Sequence, residues 1–294
     1  MSRIDEALRR TQDKSAGPEP TSPEGQKVFA PAWSVTLPAT PKALPDVTPA
    51  SEESGRALGT REPSPAGMLS FSSQWRERLA GGPDGDPGLI EQFRRLAGVL
   101  HHAQQNNGLR SVMVTSAAAG DGKTLTAVNL ALVLAESYGY TVLLVDADLR
   151  RPSIPSVVDL GDGCGLSEAL RAATEQKVAL VPITSRLTLL PAGQPIANSI
   201  EALTSPRMRQ ILDEATKRFD WVILDAPPVG PAADARLLTA LVGGTLFVIH
   251  AGQSQYPEVQ KAIDTIGREQ ILGVVLNGVE GNTEDGYYGV ARQG

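Results

Sequence analysis

A short glycine-rich stretch that ends in a lysine and a threonine has the residue types needed to hold a nucleoside triphosphate. It covers residues 116–124, SAAAGDGKT, between an apolar run that predicts a strand and a run that predicts a helix. Gly120 and Gly122 permit the tight turn that presents backbone N–H groups to phosphate oxygens. Lys123 can then reach the terminal phosphates, and Thr124 can hold Mg²⁺. We refer to residues 116–124 as the phosphate loop.

Three acidic residues follow two later apolar runs. Asp146 and Asp148 come at the end of the run that starts at residue 142, and Asp225 ends the run that starts at residue 221. A single aspartate at a strand end is often only a turn residue. In an open parallel sheet, however, ligands bind outside the carboxyl ends of the strands, so all three carboxylates are expected beside the phosphate loop. Oxygen ligands of this kind suit Mg²⁺ bound to a triphosphate.

Strands and helices alternate along the part of the chain that must position these groups. Near-continuous apolar strands separated by helices are typical of a mostly parallel sheet covered by helices on both faces. The sequence therefore predicts an α/β fold of the P-loop NTPase type. The predicted strands lie near 111–115, 141–145, 187–190, 221–225, 245–250 and 272–276, and the predicted helices at 91–104, 123–137, 166–173, 206–218, 232–241 and 257–268.

Composition divides the chain into four parts. Residues 1–14 predict a short amphipathic helix, which could dock on a partner or touch an anionic membrane or simply be a solvated terminus. Twelve of the 22 prolines precede residue 88, and residues 15–87 predict a Pro-rich disordered linker, because few clustered apolar residues offset the ordering entropy. Residues 88–282 predict the P-loop domain, and residues 283–294 predict a flexible tail.

Charge and cysteine content exclude several classes of protein. The net charge of −6 argues against a nucleic-acid partner, which would require a basic surface. The single cysteine, Cys164, permits no internal disulfide and fits a reducing compartment. Because the sequence has neither an apolar run long enough to cross a bilayer nor the hydrophobic core of a secretory signal, it predicts a cytoplasmic location.

Residues 88 to about 285 resemble the cytoplasmic kinase domain of the bacterial protein-tyrosine kinases, or BY-kinases, which act in capsule and exopolysaccharide export. The phosphate loop is similar to the first motif of that family, residues 144–152 to its modified second Walker A motif, and residues 223–228 to its Walker B motif. Further segments match in family order: residues 165–170, 189–193, Asn198 with Glu201 and Leu203, 234–235 and 273–277.

The resemblance implies an ATP- and Mg²⁺-dependent protein-tyrosine autokinase that regulates exopolysaccharide or capsule biosynthesis. A protonated tyrosine hydroxyl, with a pKa of about 10, is a poor nucleophile, and Asp146 is implied as the carboxylate that accepts its proton. The implied catalytic residues are Lys123, Asp146 and Asp148. The implied metal ligands are Thr124, Asp146, Asp148 and Asp225. The implied nucleotide-binding residues are Ala119, Gly120, Asp121, Gly122, Lys123, Thr124, Leu125 and Asn277, of which Asn277 contacts the base or serves a turn.

The resemblance also implies sites outside the nucleotide pocket. Tyr287 and Tyr288 in the tail stand for the family's phosphoacceptor tyrosines. Glu91 and Arg94 fit the family's oligomerisation helix, which implies a homo-oligomer, although Ala97 replaces its second arginine. The implied partners are a membrane polysaccharide co-polymerase, or chain-length regulator, that acts as activator, and a cognate tyrosine phosphatase. Such a partner would hold the protein at the inner face of the cell membrane.

The sequence is also compatible with two other functions. A regulatory ATPase of the cell-division or partition type would hydrolyse ATP without phosphorylating protein, but Ala118 stands where those relatives carry a signature lysine. A nucleotide-binding scaffold for the co-polymerase would lack kinase activity. Ala117, where the strict pattern has a glycine, and the sparse tyrosine tail favour the scaffold, whereas the intact Lys123 and the three aspartates oppose it.

Overall fold

One eight-stranded sheet organises the protein. The computed structural model describes residues 30–35, 58–59, 71–80, 86–158, 164–171, 178–230 and 234–279 of the 294-residue chain. The strands are β1 (Ala30–Val35), β2 (Leu58–Gly59), β3 (Ser111–Ser116), β4 (Val142–Asp146), β5 (Val178–Ala179), β6 (Val181–Pro182), β7 (Leu187–Leu190), β8 (Trp221–Asp225), β9 (Gly244–His250) and β10 (Ile271–Val279).

The order of strands places β3 and its phosphate loop in the interior of the sheet. The order is β1-β10-β9-β3-β8-β4-β7-β6, and the separate pair β2-β5 lies outside it. The inner neighbours from β10 to β7 are all parallel, whereas β1 and β6 pair antiparallel at the two edges. The carboxyl ends of the neighbouring strands β3, β8 and β4 therefore lie side by side, where a parallel α/β fold binds its ligand.

Seven α-helices cover the sheet within the described ranges. They are α1 (Pro87–Asn107), α2 (Lys123–Glu136), α3 (Leu166–Arg171), α4 (Ser199–Leu203), α5 (Pro206–Arg218), α6 (Asp234–Thr239) and α7 (Tyr256–Ile266), with 3₁₀ turns at Ser73–Arg78, Ile154–Ser156 and Arg268–Gln270. Their ends follow local chemistry. Asp86 caps α1 by accepting the N–H of Gly88 at 2.9 Å, and Ser205 caps α5 by accepting the N–H of Met208 at 3.2 Å. None of these described helices is both long enough and apolar enough to cross a membrane.

Alternating residues of the inner strands pack on opposite faces of the sheet. In β4, Leu144 packs with helices α1 and α2, while Leu143 and Val145 join the cluster beneath α5. Strand β8 repeats the pattern with Ile223 on the first face and Leu224 on the second. All these side chains are buried, so each inner strand reads as a continuous apolar run. The predicted mostly parallel sheet with helices on both faces is confirmed.

Two pieces of the predicted disordered linker differ from that prediction. Strand β1 pairs with β10, with Trp33 opposite Val275. Residues 71–80 pack on the domain through Leu79, which has no exposed surface. Composition averaged over residues 15–87 hid the spacing of Phe71, Trp75 and Leu79, which brings three apolar residues to one side of a short turn. The predicted helix at 1–14 and the tail at 283–294 lie outside the described residues.

Candidate active site

The phosphate loop joins β3 to the first turn of α2. Gly120 and Gly122 adopt φ values of 92° and 97°, a conformation that strains residues with a Cβ. Helix α2 begins at Lys123, so its N-terminal N–H groups and the positive end of its dipole lie next to the loop. This arrangement suits a phosphate chain.

Asp121 fixes the shape of the loop from within. Its Oδ2 accepts the backbone N–H of Ala118 at 2.9 Å, and its Oδ1 accepts the hydroxyl of Ser254 at 2.8 Å. The side-chain amide of Asn277 donates to the carbonyl of Asp121 at 3.0 Å. Since Asp121 is only 3% exposed, these bonds form away from water and hold the loop in a preformed shape.

Lys123 connects the loop to the acidic strand ends. Its Nζ lies 3.5 Å from Oδ2 of Asp148 and 3.4 Å from Oγ1 of Thr124. Only 10% of the lysine side chain is exposed. A buried ammonium group held by one carboxylate and one hydroxyl is placed to move onto phosphate oxygens.

Three carboxylates converge beside this lysine, as the sequence predicts. Asp146 and Asp225 occupy paired positions on the adjacent strands β4 and β8, and neither has exposed surface. Burial, together with repulsion from Asp225 and Asp148, raises the pKa of Asp146 well above its ordinary value. Two backbone N–H groups that donate to Asp146 at 3.3 Å, from Asp148 and Ile154, act in the opposite direction.

Asp225 is the carboxylate best placed for a cation. Burial raises its pKa to about 6, even though Lys123 and the hydroxyl of Thr124 favour the ionised form. Its Oδ1 is buried without a hydrogen-bond partner. Its Oδ2 accepts the hydroxyl of Ser153 at 3.5 Å, and that hydroxyl lies 2.6 Å from Oγ1 of Thr124. An unpartnered buried carboxylate oxygen beside two hydroxyls fits Mg²⁺.

The protein groups do not form a complete metal cage by themselves. Within the described parts of the chain, no group of three or more His, Cys, Asp or Glu side chains is arranged to hold a metal ion. Mg²⁺ commonly takes one or two carboxylates and completes its shell with water and substrate phosphates. The residues present therefore fit Mg²⁺ that arrives with a nucleotide.

The predicted nucleotide-binding residues differ in how far their side chains are exposed. Ala119 and Gly120 are exposed at the rim of the loop, whereas the side chain of Leu125 packs against the main core. Leu125 can thus contribute its backbone N–H but not its side chain. Asn277 lies against Gly122, where a Cβ on the glycine would collide with the amide.

A second hydrogen-bond network supports the loop that carries Asp148. Glu168 accepts the N–H groups of Gly165 at 2.7 Å and Gln194 at 3.0 Å. Burial alone would raise the pKa of Glu168, but these donors and the hydroxyl of Ser167 hold it below its ordinary value. The N–H of Ile196, which lies with Gln194 in the loop after β7, donates at 2.8 Å to the carbonyl of Leu149, the residue next to Asp148. Hydrogen bonds therefore connect the family-like segments 165–170 and 189–193 to each other and, through the loop after β7, to the loop that carries Asp148.

The predicted oligomerisation residues lie on the outer face of α1. Glu91 and Arg94 are both exposed. Glu91 accepts the guanidinium of Arg95 at 3.4 Å, and Arg94 donates to the hydroxyl of Ser137 at 3.2 Å. Ala97 is fully buried, so the position that lacks the family's second arginine belongs to the core. Tyr287 and Tyr288 lie outside the described residues.

Ser153 and Ser254 are the site residues that sequence reasoning missed. Ser153 bonds to Thr124 and Asp225, and Ser254 bonds to Asp121. Neither serine belongs to a recognisable motif, because each reaches the site only through the folding of a loop. The single available signal is position, since both follow strands whose carboxyl ends line the site.

Comparison with known proteins agrees with this geometry. The family described as "ParA: NUBPL iron-transfer P-loop NTPase" matches residues 109–282. Tyrosine-protein kinase YwqD of Bacillus subtilis (strain 168) is 34% identical over 204 residues, which cover 68% of this chain and 86% of YwqD. The succinoglycan biosynthesis transport protein ExoP of Rhizobium meliloti (strain 1021) is 31% identical over 200 residues, which cover 66% of this chain and 25% of ExoP.

Solved structures extend the likeness to three dimensions. The kinase domain of Escherichia coli tyrosine kinase ETK matches with a TM-score of 0.64 at 31% identity, over 71% of this chain and 83% of that domain. The family description mentions iron transfer, but an iron–sulfur cluster is held by several cysteine thiolates and this chain has one cysteine. The phosphate loop, the three buried aspartates and the relatives agree, and the chain belongs to the bacterial tyrosine-protein kinases within the ParA-type P-loop NTPases.

Proposed function

We propose that this protein is an ATP-dependent tyrosine kinase that phosphorylates its own C-terminal tyrosines and thereby regulates the synthesis and export of an exopolysaccharide or capsule. The observation that carries the proposal is the meeting of the buried pair Asp146 and Asp225 with Lys123 and Thr124 at the phosphate loop. Such a meeting provides a phosphate site, a cation site and a proton acceptor within one pocket.

The loop residues bind and orient the triphosphate. The backbone N–H groups after Gly120 and the first turn of α2 receive the phosphate oxygens. Lys123, released from Asp148, neutralises charge on the terminal phosphates. Thr124 and Asp225 would hold Mg²⁺, which would supply positive charge next to the phosphate oxygens. Asn277 contacts the nucleotide base from the end of β10.

Asp146 is the proposed proton acceptor for the tyrosine hydroxyl. Its pKa is raised by burial and by two neighbouring carboxylates, and a carboxylate with a raised pKa is a stronger base. Its Oδ2 is oriented by the N–H of Ile154 at 3.3 Å, which fixes the direction of the group. The hydroxyl proton would move to Asp146 as the tyrosine oxygen bonds to the γ-phosphorus and ADP leaves.

The proposed setting is the inner face of the cell membrane. The name of ExoP, a transport protein for succinoglycan biosynthesis, supports a link to polysaccharide export. We place this chain beside a membrane polysaccharide co-polymerase that activates it, in a homo-oligomer in which Glu91 and Arg94 of α1 form part of the contact. A cognate tyrosine phosphatase would reverse the modification.

Mapping of phosphotyrosine by mass spectrometry tests the proposal. The full chain is incubated with MgATP, with and without a co-polymerase cytoplasmic segment, and compared with Lys123→Met and with a Tyr287→Phe/Tyr288→Phe variant. We expect phosphate on Tyr287 or Tyr288 in the wild type and none in Lys123→Met, which also exposes any contaminating kinase. ATP turnover without phosphotyrosine under either condition would favour the regulatory ATPase instead. Nucleotide binding without turnover would favour the scaffold.

A further inference from the structure

A short segment ahead of α1 touches the helix that follows the phosphate loop. We call residues 71–80 the strap. Its backbone forms a reciprocal pair of hydrogen bonds with Asn129 of α2, because the N–H of Ala80 donates to Oδ1 of Asn129 at 2.8 Å and Nδ2 of Asn129 donates to the carbonyl of Arg78 at 2.9 Å. Asn129 is 1% exposed, and its bond to Ala80 is buried while its bond to Arg78 is partly buried. One end of the strap is thus fixed to α2.

The other end of the strap is fixed to the loop that follows β4. We call residues 147–158 the Ser153 loop. The N–H of Ser72 donates to the carbonyl of Val157 at 3.0 Å, and Phe71 forms an antiparallel bridge with Val158. The amide of Gln74 donates to the carbonyl of Ser156 at 3.4 Å. The strap therefore spans from α2 to the Ser153 loop.

Apolar burial holds the strap in place. Leu79 has no exposed surface, and Phe71 and Trp75 pack partly buried against the same cluster. That cluster also contains Ile154 and Val157 of the Ser153 loop and the inner face of α2. Burial of these side chains offsets the entropy lost when the strap is ordered.

The Ser153 loop in turn contacts the metal-binding groups. The hydroxyl of Ser153 lies 2.6 Å from Oγ1 of Thr124 and donates to Asp225 at 3.5 Å. The next residue, Ile154, donates its N–H to Asp146. A displacement of this loop by about one ångström away from the site would lengthen all three contacts beyond ordinary hydrogen-bond distance.

We propose that the strap is a positioning element for the Mg²⁺ site. It holds the Ser153 loop against Thr124, Asp146 and Asp225, so that these groups are already oriented when the metal and nucleotide arrive. Preorganisation of this kind strengthens binding because less ordering remains to be done in the bound state. The proposal rests on the MgATP site described above, but it requires no kinase activity.

Two substitutions at Ser72 separate the backbone contact from the side chain. Ser72→Pro removes the N–H that donates to Val157, whereas Ser72→Ala keeps it. A third variant, Asn129→Ala, releases the far end of the strap without touching the Ser153 loop. Each full-length variant is compared with the wild type by hydrogen exchange without nucleotide and by titration of Mg²⁺ in the presence of a fluorescent ATP analogue.

Ser72→Pro and Asn129→Ala should both speed exchange in peptides that cover residues 153–158, while peptides that cover α5 stay unchanged. Both should raise the Mg²⁺ concentration for half-maximal nucleotide binding about five-fold, the effect of roughly one net hydrogen bond. Ser72→Ala should match the wild type. Wild-type exchange of the loop in both variants would overturn the proposal. So would faster loop exchange with an unchanged Mg²⁺ requirement. Neither hydrogen exchange nor the Mg²⁺ titration depends on kinase activity. An absence of phosphotyrosine in the kinase assay would therefore contradict the proposed function without contradicting the role of the strap.

Discussion

The hydroxyl of Ser254 donates a hydrogen bond of 2.8 Å to Oδ1 of Asp121 and so ties the turn after β9 to the phosphate loop. The same hydroxyl accepts the N–H of His250 at 2.8 Å. Ser254 is 8% exposed and Asp121 is 3% exposed, so water cannot replace the bond at low cost. The phosphate loop is therefore shaped partly by the turn after β9, the strand that lies next to β3 in the sheet.

Ser254→Ala should weaken nucleotide binding and stability together. Loss of the hydroxyl leaves a buried carboxylate oxygen of Asp121 without its donor, at a cost of about 1–2 kcal/mol in the free energy of unfolding. We expect a matching several-fold rise in the dissociation constant for MgATP, measured by calorimetry. Gln253→Ala, at the exposed neighbouring position, is the control and should change neither quantity. Unchanged affinity in Ser254→Ala would mean that the loop keeps its shape without this bond.

The two loop glycines should differ when each is replaced by alanine. Both have positive φ, which costs about 1–2 kcal/mol for an alanine. A Cβ at Gly120 would meet open space, whereas a Cβ at Gly122 would collide with the amide of Asn277. Urea unfolding without nucleotide should therefore show a larger loss of stability for Gly122→Ala than for Gly120→Ala.

The double variant Gly122→Ala/Asn277→Ala isolates that collision. Removal of the amide should make the cost of Gly122→Ala fall toward the cost of Gly120→Ala, which a double-mutant cycle measures as a favourable coupling of about 1 kcal/mol. Additive effects of the two substitutions would contradict the close contact between Gly122 and Asn277.

Asp225→Asn should make the nucleotide-free protein more stable and less functional. Burial raises the pKa of Asp225 to about 6, so at pH 7 the ionised carboxylate is held at a cost among neighbouring carboxylates. A neutral amide of the same shape should raise the free energy of unfolding by about 1–3 kcal/mol, as is common for functional residues. Thermal unfolding without Mg²⁺ measures the gain, and Mg²⁺-dependent ATP binding measures the loss.

Asp213→Asn is the control for Asp225→Asn, because it makes the same chemical change at an exposed position on α5. It should leave both stability and Mg²⁺ dependence unchanged. A fall in the melting temperature of Asp225→Asn would indicate that the ionised group is structurally required rather than tolerated for binding.

Glu168 should make stability depend on pH in the acid range. Its donors hold its pKa below the ordinary value, so its stabilising contribution is fully present above the unfolded pKa of about 4.3 and disappears as the pH falls through the lower folded pKa. At pH 7, Glu168→Gln should lower the free energy of unfolding by about 1 kcal/mol. The expected loss of stability is small because 22% of the Glu168 side chain is exposed, and solvent screens its charge.

The difference between wild type and Glu168→Gln should narrow as the pH is lowered through this range. Urea titrations at pH 3, 4, 5 and 7 measure it, with the exposed Glu258→Gln on α7 as the control. A difference that stays constant with pH would mean that the lost stability does not depend on the charge of Glu168, and it would contradict the lowered pKa of this carboxyl group.

Local patterns predicted the parts of the fold that depend on neighbours in sequence. All six predicted strands are present, because inner strands are buried on both faces and read as apolar runs. The convergence of Asp146, Asp148 and Asp225 followed from one rule about the carboxyl ends of parallel strands. Helix ends were less predictable. The helix expected at 232–241 ends at Thr239, and the helix Ser199–Leu203 was not anticipated.

Long-range contacts through loops were beyond the reach of sequence patterns. Strand β1 is added from a proline-rich region and pairs with a strand more than 200 residues later, so its neighbours in sequence do not reveal its partner. The contact of Ser153 with Thr124 and the contact of Ala80 with Asn129 are equally remote in sequence. A residue that acts through such contacts has no motif, and only the folded chain identifies it.

The two antiparallel edge strands have a consequence for behaviour at high concentration. At one end of the sheet, β1 occupies the hydrogen-bonding edge of the long strand β10. At the other end, β6 is only two residues long and finishes in Pro182, which has no N–H to offer a neighbour. The long strand β10 is thus covered by β1, and β6 offers at most two residues for pairing with another molecule, so edge-to-edge association at high concentration is limited at these two strands.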